Sequence, residues 1–303
     1  MTFLVILMGL MPSFLLVGLG GLLRKRLSVN AWQGLDRLNF EILFPALLFV
    51  AASASQIHVS AIITIAPAIW GILVCGLVAG YSARRFGPER FLDFAGAWQT
   101  AWRSNSAIAF VAIGTLSDAD PALMAVAIGM GVPLANVFAV SVLSRGGRLG
   151  FGQTVKNVVL NPFLLASLSG VALGVSGYSL PLPVLAPLQM LAEAAIPIAL
   201  ISIGATMNWA ALARLNRFSG TLCGVKLVLL PAVVVTAALV FGVSGPLVGV
   251  LVVYATLPTA SAAHVLASGF GADRELVATL VAQSTLLGAV TLPIWITVYE
   301  FLF

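Results

Sequence analysis

Three features of the sequence predict an all-α integral membrane protein of ten transmembrane helices. Apolar runs of about 20 residues recur along the whole chain, each long enough to cross the ~30 Å hydrocarbon slab. Charge is scarce: of 303 residues, 60% are apolar and 8% are Asp, Glu, Lys or Arg, against roughly 25% charged in a soluble domain. The cations that remain cluster in alternate connections. No stretch is left over for a soluble domain. The net charge of +5 does not point to nucleic acid, because the basic residues sit in short groups between apolar runs, as in cytoplasmic membrane loops.

In order, the spans fall near residues 3–23, 33–55, 60–83, 95–115, 121–144, 157–175, 184–207, 218–241, 246–268 and 277–302. No basic segment leads the first run and no small-residue cleavage site follows it, so it reads as a retained helix and not a secretion signal. Phe86-Gly87-Pro88, Asp118 to Pro121, Arg145 to Lys156, Pro181 to Pro187 and Gly242 to Pro246 read as turns between spans. Cations mark the odd connections: Arg24, Lys25, Arg26 and Arg37 at the first, Arg84, Arg85 and Arg90 at the third, and Arg145, Arg148 and Lys156 at the fifth. Arg214 and Arg217 mark the seventh and Arg274 the ninth, while the even connections carry no Lys or Arg. By the positive-inside rule the odd connections are cytoplasmic, which puts both termini outside and requires an even number of spans.

The two halves echo each other. Pro12 to Gly20 matches Pro162 to Gly170 at an offset of 150, Glu41 to Pro45 matches Glu193 to Pro197 at 152, and Asn105 aligns with Pro258 at 153. The offset drifts without reversing, as a duplication with small insertions would give. The units are residues 1–146 and 150–303, each with five spans. An odd number of spans turns the second copy upside down in the bilayer, and inverted repeats with breaks at matching places point to a transporter site.

Candidate chemistry lies at two such breaks. Span four carries Arg103, Ser104, Asn105 and Ser106 at mid-depth, where Ser and Asn compete for backbone hydrogen bonds and cap helices. Span nine carries Leu257, Pro258, Thr259 and Ser261, and Pro258 removes a backbone donor. Helices broken there leave unpaired N–H groups and a positive dipole end that attract an anion, although a proline kink healed by Ser and Thr would give the same sequence pattern. Arg103 is suited to a substrate carboxylate through its planar fork, or to a salt bridge with a glutamate or bonds to carbonyls. Glu41 and Glu193, each one turn before a proline, are expected to face the interior and are candidates for proton coupling. Lys226 lies close enough to the cytoplasmic edge to snorkel, and is otherwise a candidate for coupling or gating. His264 is placed to line the cavity or to pack as a hydrogen-bonded core residue, and His58 falls in a short outer connection. Neither histidine has metal-ligand spacing. Cys75 and Cys223 are read as core residues.

At these residues the sequence resembles the auxin efflux carrier family, which includes plant auxin exporters and bacterial malonate or malate permease-like proteins. The resemblance rests on Phe44 to Phe49, Arg103 to Ala107, Gly131 to Val137 with Asn136, Asn161-Pro162, Pro197 to Ala205, Leu257 to Ala260, Ser284-Thr285 and Thr291 to Trp295. It covers nearly the whole chain in order. It implies two inverted five-helix repeats, a scaffold and homodimer surface from spans one, two, six and seven, and a moving, elevator-like transport domain from spans three to five and eight to ten. Broken spans four and nine would cross in that domain and bind an organic anion, with Asn136 among the residues for coupling or gating. The chain lacks the long central loop of many plant members, which favours a bacterial inner-membrane carrier, and span four offers Asn105 where span nine has Pro258, which argues against auxin as substrate.

The expected function is therefore secondary transport of a small mono- or dicarboxylate by alternating access. A sodium- or proton-coupled carrier of related inverted-repeat fold, bile-acid-symporter-like or a cation/proton antiporter, is the competing reading. An enzyme is disfavoured: there is no Cys/His ligand set, no GxSxG elbow and no pair of intramembrane aspartates. No cofactor or metal is expected.

Overall fold

The computed structural model describes residues 2–53, 59–118, 120–146, 152, 156, 159–212 and 214–303. His58 and Arg148 lie outside the described residues. Helix follows helix along the chain, and no strand occurs among the described residues. Helix α1 is Thr2–Leu23. Helix α2, Val29–Leu38, is capped by the Ser28 side chain and continues through a π-helical turn, Asn39–Leu43, into α3, Phe44–Ser53. Helix α4 is Val59–Tyr81 and α7 is Pro121–Gly146. Between them run two short helices, α5 (Phe91–Trp98) and α6 (Ser106–Ile113).

The second half also ends on two short helices and a long one, but its π-helical turn falls in the third segment and not in the second. Helix α8, Pro162–Ser176, starts on the Asn161 side chain with Pro162 just inside and stops at Gly177, whose φ of 69° only glycine adopts cheaply. Helix α9 is Leu182–Thr206. Helix α10, Arg217–Gly224, opens with an Asn216/Ser219 capping box and runs through a second π-helical turn, Val225–Leu229, into α11, Leu230–Phe241. Helices α12 (Pro246–Thr256) and α13 (Ala262–Gly269) precede α14, Arg274–Leu302, which is capped by Asp273.

Among the described residues, five helical runs are long and apolar enough to cross a membrane: Ile65–Phe86, Val126–Gly146, Leu182–Thr206, Arg217–Phe241 and Arg274–Leu302. The sequence predicts ten, and for spans four, six and nine the difference has a physical cause. Where spans four and nine were expected, the chain leaves the helix at 102–105 and again at 257–260, so each half is too short to cross alone. Helix α8, with 15 residues, extends only ~22 Å at 1.5 Å per residue.

Packing between helices uses small residues, as it must where lipid supplies no hydrophobic drive. Gly20 of α1 lies against the Ile201 carbonyl of α9, and Gly204 of α9 lies against the Val17 carbonyl of α1, with no room for a Cβ at either. Gly170 of α8 lies against the Phe49 carbonyl of α3, where an added Cβ would come within 2.7 Å. The two sets correspond: Gly20 and Gly170 differ by 150, and Phe49 and Ile201 by 152, the offsets of the sequence echo. An aromatic group of Phe94, Trp98 and Trp102 fills the core beside α5.

Candidate functional site

Two interruptions meet at the centre of the molecule. The Asn105 N–H donates to the Pro258 carbonyl at 2.9 Å, and the Thr259 hydroxyl donates to the Thr100 carbonyl at 2.7 Å. The Gln99 amide donates to the Ala263 carbonyl at 3.2 Å. Each interrupted segment thus satisfies backbone groups that the other has freed, which is how non-helical backbone survives at membrane depth.

A cavity of about 230 Å³ opens against this junction. Its polar wall is Arg103, Ser104, Asn105 and Ser106 from one interruption and Ser261 from the other. Its apolar wall is formed by Phe44, Leu47 and Leu48 of α3, Val132 and Pro133 of α7, Ile196 of α9 and Tyr254 of α12. Helices α6 and α13 both begin at this wall, so two positive dipole ends converge on it. Arg103 is 4% exposed. Its Nη2 donates to Asn136 Oδ1 at 2.9 Å, while its Nε and Nη1 have no partner. Lys226, 1% exposed, donates from Nζ to Ser104 Oγ at 2.8 Å. Among the described residues neither cation pairs with a carboxylate. Buried cations without a counter-ion are costly, and Arg103, with two unpartnered donors, is among the residues that line the cavity.

The candidate residues therefore divide. Arg103, Ser104, Asn105, Ser106 and Ser261 line the cavity, and Asn136 orients Arg103. Leu257, Pro258 and Thr259 do not line it; they are buried in the crossing itself, where the Thr259 N–H donates to Ser284 Oγ at 3.0 Å. Lys226 does not snorkel. The π-helical turn frees the Leu227 carbonyl to accept from Trp295 Nε1 at 2.9 Å and sets Lys226 against Ser104. His264 does not line the cavity either: it is fully buried, with Nε2 3.6 Å from Asp36 Oδ1.

Glu41 and Glu193 do not face the interior of the chain. Glu41 is exposed and pairs with exposed Arg37 at 2.8 Å, because it sits in the π-helical turn, which alters the helical face around it. Glu193 is exposed on α9, about 100° of helix rotation from the buried Ala192–Ala195–Ala199 stripe. Two residues escape the sequence reading. Tyr254, an aromatic one turn before the break, is signalled only by its spacing from Pro258. Asp36 is buried at 2% exposure, yet in sequence it looks like an interfacial charge beside Arg37.

Residues 149–296 match the family model described as "Membrane transport protein". Two relatives align over nearly the whole chain. One, from Rhizobium meliloti strain 1021, is named "Putative malonate transporter"; it is 26% identical over 299 residues, covering 93% of this chain and 92% of the relative. The other, from Methanothermobacter thermautotrophicus, is named "Uncharacterized transporter"; it is 25% identical over 291 residues, covering 93% of this chain and 95% of the relative. A transport-family match over the second half, transporter relatives along nearly the full length and the ordered motifs of both halves agree, and the chain is similar to the membrane transport proteins of the auxin efflux carrier family.

Proposed function

We propose that the protein is a secondary transporter that carries a small dicarboxylate through the cavity at the helix crossing by alternating access. The observation that carries this reading is the pair of buried cations, Arg103 and Lys226, flanking Ser104 with no protein carboxylate to balance them among the described residues. A dianion supplies both missing charges, and a monoanion supplies one. Arg103 receives one carboxylate through Nε and Nη1, and the starts of α6 and α13 add their dipoles. Lys226 contributes field through Ser104 without direct contact. The cavity is smaller than the ~300–1,000 Å³ typical of drug-sized ligand sites, which suits a compact substrate. The malonate named for the Rhizobium relative is of this class.

In this reading ten spans form two inverted repeats, and the paired glycine contacts at Phe49 and Ile201 support the inversion. Helices α1 to α3, α8 and α9 act as scaffold, and the rest as the moving domain. Exposed Gln189 and Glu193 on α9 would be costly against lipid, which supports a homodimer that covers this face. The positions of the cations put both termini outside, and the short connection between the halves fits a carrier of a bacterial inner membrane.

The test is thermal stabilisation of purified protein by mono- and dicarboxylates of one to six carbons, with and without sodium, across pH. Stabilisation by short dicarboxylates above their monocarboxylate counterparts is expected. No stabilisation by any carboxylate would refute the reading. Stabilisation that requires sodium or low pH would favour a coupled carrier.

A further inference from the structure

A second buried polar group lies away from the cavity. Asp36, on α2, is held by four side chains from three other helices. Arg274 Nη2 of α14 pairs with its Oδ2 at 2.8 Å, and the Ser268 hydroxyl of α13 donates to the same oxygen at 3.1 Å. The Ser202 hydroxyl of α9 donates to Oδ1, with His264 of α13 beside it at 3.6 Å. Arg274 also donates to the Thr206 hydroxyl of α9 at 2.8 Å. Helices α2 and α9 thus grip α13 and α14 through one carboxylate.

The position of this grip gives it a function. The central cavity is lined by Phe44 of α3, Ile196 of α9 and Ser261 before α13. Along the same three segments, Asp36, Ser202 and Ser268 lie eight, six and seven residues further towards the Arg24–Arg26 side, on the order of 10 Å at 1.5 Å per residue. A separate cavity of about 510 Å³, lined by Arg37, Ser268 and Arg274, lies at that end. The buried cluster borders this second cavity through Ser268 and Arg274 and lies on segments that lead from it to the central one. We infer that Asp36 and Arg274, with His264, Ser202 and Ser268, form the cytoplasmic gate of the transport path, closed in this structure; the inference rests on the carrier reading above. Separating Asp36 from Arg274 joins the cavities and opens the centre to the cytoplasm. Helix α13 links gate to site, since it begins at the substrate wall and carries His264 and Ser268 on the gate. The offset of 152 that pairs Glu41 with Glu193 pairs Asp36 with Leu188, so the echo carries no carboxylate at the matching position of the second half.

The test uses the full chain with Cys75 and Cys223 replaced by alanine and with Ile196→Cys as a reporter in the central cavity. Vesicles of known orientation are labelled from either face with a membrane-impermeant maleimide. Asp36→Asn and Arg274→Gln are expected to speed labelling from the cytoplasmic face by about tenfold, within the range by which coupled sites bias one another. They should slow labelling from outside, and Arg274→Lys should shift sidedness less than Arg274→Gln. Cytoplasmic labelling that stays within about twofold of the parent, or that rises equally from both faces, overturns the gate. Should those variants not fold, Ser202→Ala and Ser268→Ala keep the ion pair and remove one bond each; each is expected to give a smaller shift the same way, and no shift overturns the gate. Protection of the reporter by a dicarboxylate is scored separately. Its absence counts against the carrier reading, while the gate is judged on sidedness alone.

Discussion

Replacing Arg103 separates the demands of binding from those of folding. In the structure its Nη2 is committed to Asn136, and its Nε and Nη1 are buried at the cavity wall with no partner. Arg103→Lys keeps the charge and loses the fork, so at least one charge-assisted hydrogen bond to a bound carboxylate disappears. Such a bond contributes roughly 1.5–3 kcal/mol, so dicarboxylate affinity should fall by roughly tenfold to a hundredfold. Arg103→Met removes the charge as well and should abolish measurable binding. In the empty protein, however, it replaces an unbalanced buried cation by an apolar side chain of similar length, a change that is neutral or stabilising at buried ionic sites. Its melting temperature without ligand should therefore match or exceed the parent's. Titration calorimetry with a short dicarboxylate and ligand-free thermal melts in the same detergent measure both quantities. Refutation would be the reverse pattern: affinity within about twofold of the parent for both variants, which is less than one such bond would change, with the melt of Arg103→Met well below it. Arg103 would then be a structural strut.

Two further outcomes follow from the same contacts. Lys226→Gln keeps a donor towards Ser104 but removes one of two uncompensated charges, so dicarboxylates should lose affinity by more than monocarboxylates; equal losses in the thermal-shift series would count against the two-cation account. Gly204→Ala drives a Cβ into the Val17 carbonyl, an overpacking that costs about 1–3 kcal/mol and should lower the melting temperature. Gly18→Ala on the partner helix α1, with nothing within 4 Å of its added Cβ, should not.

The two interruptions are partly readable before any coordinates, while the crossing follows only from the family resemblance. Asn105 and Pro258 sit among polar residues inside apolar runs, a pattern that either a break or a healed kink satisfies, because a backbone group in hydrocarbon must find a partner. What sequence does not carry is which side of each break faces the cavity. Thr259 was a candidate cavity residue, yet its hydroxyl is spent on Thr100. By its place in the sequence Lys226 lies near enough to the membrane edge to snorkel, which treats the helix as isolated. The fold instead covers that turn with Ser104 and α14. The glutamates mislead for a different reason: a polar residue in a span is assumed to turn inward, but Glu41 lies in a π-helical turn and Glu193 one residue past an inward-facing alanine stripe. Asp36 is invisible in sequence because its partners lie 166 to 238 residues away, at Ser202, His264, Ser268 and Arg274.

The central claim, that the broken, crossing helices form a path for a dicarboxylate, is tested most directly by uptake of a labelled short dicarboxylate into proteoliposomes bearing the parent, Asn105→Leu or Pro258→Ala. Asn105→Leu removes a polar residue from the cavity wall at the start of α6. Pro258→Ala restores a backbone donor and lets the interruption at 257–260 wind into helix, withdrawing N–H groups from the site. Neither change makes the spans less apolar, so both proteins should insert at parental levels. The account predicts uptake by the parent and little or none by the two variants. A parent that moves no dicarboxylate, or variants that move it at the parental rate, would contradict it.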